Sequence, residues 1–165
     1  MQVAVIFMRV ILDSFDRQFV RLHQRSHGLI SQTPNDLLYR KPRDLGQTMT
    51  IFSCGEYILR SVAAVEQTFG GITTRLWDDP FEWTLPEKLH SSALVLEYIH
   101  EVEDTRKKGF AFLSSDADLT LEIPAPERLR SIHEILLNTV ARAEHYQGRA
   151  FAIFQMLSDE KLPRL

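Results

Sequence analysis

Arg142 and Tyr146, near the end of the chain, are one helical turn apart, so both side chains project toward whatever that helix packs against. A guanidinium recognises a carboxylate or a phosphate through paired hydrogen bonds, and a phenol adds a neutral donor beside it. A second reading stays open, in which Arg142 pairs with Glu56 from an earlier helix, because a buried charge needs a partner whether or not a ligand comes. His23 and His27 stand four residues apart, the spacing that turns two imidazoles to one helix face as zinc sites require. The sequence positions no third ligand for them, so they read as surface or boundary residues. His100 lies at the margin of an apolar stripe and reads as a satisfied boundary histidine. Cys54, the only cysteine, reads as a small core residue rather than a reactive thiol.

The elements that must position these groups are helical. Phe15, Phe19, Leu22, Ser26, Leu29 and Ile30 repeat at helical spacing and predict a first helix from about residue 8 or 12 into the early thirties, stopped at Thr33-Pro34-Asn35-Asp36. A second start signal, Asp44-Leu45-Gly46-Gln47, predicts a helix from Leu45 to about Phe69, closed by Gly70 and Gly71. Residues 72–84 form a connection carrying Trp77 and Trp83, read either as a crossover pinned by its tryptophans or as the rim of a pocket. Trp77, Phe81 and Trp83 could alternatively dock a partner protein.

Thr84-Leu85-Pro86-Glu87 has the form of a capping box and predicts a third helix to about residue 114. Its outer face, including Glu97, Glu103, Asp104, Arg106 and Lys107, reads as solvated charge. The second long connection holds Leu119, Leu121 and Ile123 in an alternation too short to claim a strand. Ser131 and Glu134 open the last helix, whose stripe of Ile132, Ile135, Leu136, Thr139, Ala143, Tyr146, Ala150, Ile153 and Leu157 carries it to Leu157. Four amphipathic helices with no convincing strand predict an all-α four-helix bundle with two long connections, built as a single domain over residues 1–165.

The segment from Arg142 to Arg149, RAEHYQGR, resembles the last helix of the DinB-like (YfiT) family, in which two histidines one turn apart precede a glycine. The second helix is similar to that family's as well: Gly46 matches its glycine and Gly55-Glu56 its later small residue and glutamate. The resemblance implies long links between helices, a homodimer, and a divalent metal, often nickel or zinc, held by three histidines. Some members use it to activate a thiol. In this chain Ile51, Arg142 and Tyr146 take the three histidine positions. Isoleucine has no donor atom and arginine stays protonated, so no metal is expected at those positions. The expected ligand-binding residues are therefore Arg142, Tyr146, Glu56, Cys54 and Ile51, with a small anionic molecule as the partner and no cofactor. The function expected is that of a metal-free small-molecule-binding or stress-associated bundle. The alternative is a metal-dependent thiol transferase or hydrolase whose site has moved to His145, joined by Cys54, Glu56, His100 or Glu144. A shift of one residue turns a side chain by about 100° around the helix, which speaks against that relocation.

Composition agrees with a globular domain: 165 residues, 44% hydrophobic and 25% charged, are enough to bury a core. The net charge of −3, with scattered basic residues, gives no footprint for nucleic acid. One cysteine allows no internal disulfide. The opening MQVAVIFMRVIL lacks a basic segment and a cleavage site, and Arg9 breaks a run far short of the roughly 20 residues needed to span a bilayer. It reads as the start of the first helix or a short extension over apolar surface. A cytoplasmic protein without membrane contact is expected.

Overall fold

The computed structural model describes residues 8–42 and 51–163. Its helices are α1 (Val10–Ser31), the single turn α2 (Asn35–Leu38), α3 (Cys54–Thr74), α4 (Ser92–Ala111) and α5 (Ile132–Leu157). The architecture is all-α apart from one small hairpin, in which β1 (Glu122–Pro124) runs antiparallel to β2 (Leu129–Ser131) with Ile123 opposite Arg130. The long helices pack chiefly in the cyclic order α1, α4, α3, α5, with a lighter α1–α3 contact across the middle. Their apolar faces meet around Phe19, Phe69 and Phe110, whose ring centroids lie 5.1 to 5.7 Å apart. No helix among the described residues is long and apolar enough to cross a membrane.

Helix starts are set by particular caps. The first free amides of α1 have no local acceptor; Asp116 supplies one from across the fold, accepting from Ile11 N at 3.1 Å and Leu12 N at 2.9 Å. The α5 start falls where the sequence predicts, with Ser131 Oγ accepting from Glu134 N at 3.2 Å. Glu134 does not close the reciprocal half of the box, because its carboxylate is drawn to Arg128 and Arg130.

The middle of the chain departs from expectation. The predicted start at Asp44–Gln47 lies outside the described residues, but Ile51–Ser53 is not helical and α3 begins at Cys54. A complete capping box sets that start: Ser53 Oγ accepts from Glu56 N at 3.3 Å, and Glu56 accepts from Ser53 N at 2.8 Å. At the other end α3 runs through Gly70 and Gly71 to Thr74 and stops at Arg75, whose φ of 64° is left-handed. Gly71 serves contact rather than termination, since a Cβ there would meet the Trp77 ring at 2.4 Å.

Thr84–Glu87 is a turn rather than a helix start, with the Thr84 hydroxyl donating to Pro80 O at 2.9 Å. The helix waits for Ser91, whose hydroxyl accepts from Leu94 N, while Ser92 N is held by Asn35 Oδ1 at 2.8 Å. The outer face of α4 is also not wholly solvated. Glu103 and Arg106 are buried, joined by two 2.8 Å hydrogen bonds, and Arg106 also donates to Asp16 of α1. The α1–α4 crossing covers this pair, and mutual neutralisation makes its burial tolerable.

Candidate functional site

A cleft of about 500 Å³ lies between α3, α5 and residues 79–87. Positions 56, 60, 63, 64 and 67 of α3, spaced by three and four, form one wall, and Arg142 and Tyr146 of α5 form another. Pro80, Phe81 and Leu85 make the rim. The 72–84 connection therefore fits both of its readings. Trp77 pins it by donating Nε1 to Pro124 O at 2.9 Å, and Trp83 Nε1 reaches Glu66 at 3.3 Å, while Phe81 faces the cleft.

Arg142 is exposed, with its guanidinium donating to Gln67 Oε1 at 3.2 Å. Tyr146 is half-buried and stacks on Tyr57, with centroids 6.5 Å apart and an interplanar angle of 29°. Glu56 lies in the same cleft, but its carboxylate is committed to Ser53 and to Lys41, 4.0 Å away. The expected Arg142–Glu56 pair is not the contact Arg142 makes. Because Arg142 stands in solvent rather than in the core, it needs no buried counter-ion.

A second cation missing from the expected set, Arg60, stacks on Phe52 with its guanidinium carbon 4.0 Å from the ring centroid. Its signal lay in the spacing, since Glu56, Arg60, Ala63 and Gln67 share one face once the register of α3 is known. The walls carry two guanidiniums, Arg60 and Arg142, and three carboxylates, Glu56, Asp79 and Glu87. Two of the three are occupied, Glu56 as described and Asp79 by accepting from Phe81 N at 3.1 Å.

Cys54 and Ile51 are not on the cleft wall. Cys54 is 1% exposed, and burial pushes its thiol up to about 12, with a hydrogen bond to Thr33 opposing the shift. Ile51 precedes α3 and packs, half-buried, against the core. Gly55 answers to packing, since a Cβ would lie 2.8 Å from Leu38 O, whereas Gly148 has open space around it. His145 is exposed and its ring neighbour is Tyr146, 5.7 Å away. Glu144 is taken by Arg25 at 3.1 Å, and His100 stands on α4, so the groups proposed to join His145 are dispersed.

The structure gathers a cluster that the sequence held in separate pieces. His23 and His27 of α1 meet His100 of α4, with ring centroids 6.1, 5.8 and 5.1 Å apart. Burial lowers the His23 pKa; Glu103 opposes this, and His100, His27 and Arg106 lower it further. As the side chains stand, no three His, Cys, Asp or Glu groups among the described residues are arranged to hold a metal ion. No family model, curated protein or solved structure matches this chain.

Proposed function

We propose that the chain is a DinB-like four-helix bundle acting as a homodimeric binding module, its α3–α5 cleft taking a small molecule with one carboxylate on an apolar body. The observation that carries this reading is the convergence of Arg142, Tyr146 and Arg60 on one cleft walled by Phe52, Leu59 and Phe81. Arg142 donates to a neutral amide rather than to a carboxylate, so an incoming anion displaces a weak partner. The apolar residues seat the rest of the ligand. Charge discriminates among anions: with three carboxylates against two guanidiniums, the walls repel a phosphate dianion more than a monocarboxylate, whose single charge Arg142 pairs. At the three positions that the family fills with histidine, isoleucine, arginine and tyrosine give no cation site, and the reading routes no chemistry through a metal there.

The test is a thermal-melt series of the tag-free protein with benzoate, hexanoate and inorganic phosphate. The monocarboxylates raise Tm in a saturable way, phosphate does less, and Arg142→Gln abolishes the difference. No carboxylate-dependent rise, or the same rise in Arg142→Gln, overturns the reading.

A further inference from the structure

We propose that His23, His27 and His100 form a binding site for a divalent transition ion of the zinc class, at the α1–α4 crossing and apart from the α3–α5 cleft. The ring separations of 5.1 to 6.1 Å carry the proposal first. Three imidazoles on one tetrahedral ion, each donor at about 2.0–2.1 Å, put their ring centroids roughly 5 Å apart. Two ligands one turn apart on α1 and a third on the facing helix are thus already near the required spacing. As the side chains stand the donors do not yet converge, and binding turns these partly or wholly exposed rings about χ1 and χ2 toward one ion.

The surroundings carry it second. His23 Nδ1 stands 4.0 Å from Glu103 Oε2, and His27 Nδ1 is 3.4 Å from Ser31 Oγ. The two α1 rings thus have Nδ1 beside a polar partner, which leaves Nε2 as the donor for an ion. Glu103 is in turn fixed by Arg106, and Arg106 by Asp16. The linked charges Asp16, Glu103, Asp104, Arg106 and Lys107 carry a net charge of −1, which favours a cation over three mutually repelling imidazoliums. Imidazole ligands select zinc, cobalt, nickel or copper over magnesium or calcium. His100 lies on the exposed side, so a fourth position faces solvent and takes water.

Cobalt(II) titrated into the tag-free protein, followed by visible absorption, reads out both stoichiometry and tetrahedral geometry. The expected result is saturation at one ion per chain, weakened by about tenfold or more in His100→Gln and unchanged in His145→Gln. Both positions are exposed, so neither substitution threatens the fold. Absence of saturable binding, or binding that His100→Gln leaves intact, overturns the proposal. Neither result bears on the cleft, whose own test uses Arg142→Gln.

Discussion

The family resemblance puts Cys54 and Arg142 in one site, and the fold separates them by burial. With 1% of Cys54 exposed and its thiol pushed up to about 12, the nucleophilic thiolate is nearly absent near neutral pH. The native protein is therefore expected to react negligibly with a chromogenic disulfide reagent at about pH 8 and to titrate one thiol per chain in denaturant. The same burial has a sign for stability. Above the ordinary value of 9.0 the unfolded thiol loses its proton while the folded one keeps it, so stability falls as pH rises past that point. Rapid labelling of the native thiol, or stability flat across that range in a comparison with Cys54→Ala, would contradict this placement. Helical spacing puts Arg142 and Tyr146 on one face of α5, and Glu56 meets them in the cleft only because α3 packs there. Cys54 and Ile51 enter the expected set through the family resemblance, and the fold places Cys54 in the core and Ile51 just ahead of α3, both off the cleft wall.

Among the elements, α1 and α5 follow the sequence closely, because a long apolar period is bounded in each by a distinct signal. The errors at α3 and α4 share a cause: capping patterns are short, and Thr84–Glu87 carries one that the backbone does not use. Tertiary contacts choose between candidates, as where Asn35 holds Ser92 N and a buried Ser53 closes a true box with Glu56. The β1–β2 hairpin was invisible in a three-residue alternation, since its pairing partner lies across a turn and adds no period of its own. Gly71 tests how closely α3 and the following connection fit. Gly71→Ala places a Cβ 2.4 Å from the Trp77 ring and should destabilise by about 1–3 kcal/mol in urea unfolding. An unchanged unfolding midpoint would mean that Trp77 does not hold the connection against the helix.

For the whole molecule, the composition indicated a single core and little more, and the fold turns that core into two distinct polar places. One is the α3–α5 cleft, where the sequence carried Arg142, Tyr146 and a rim reading of residues 72–84 but not Arg60. The other is the α1–α4 crossing, where three separately unremarkable histidines meet beside the buried Glu103–Arg106 pair. Proximity across helices has no sequence signature, because it depends on which helices become neighbours and at what height. The central claim, that the cleft is the ligand site, is most directly tested by adding benzoate to isotopically labelled protein and following amide shifts by NMR. Saturable shifts confined to residues 56–67, 79–87 and 142–146 are the predicted result. Shifts centred on the α1–α4 crossing, or none that saturate, would contradict it.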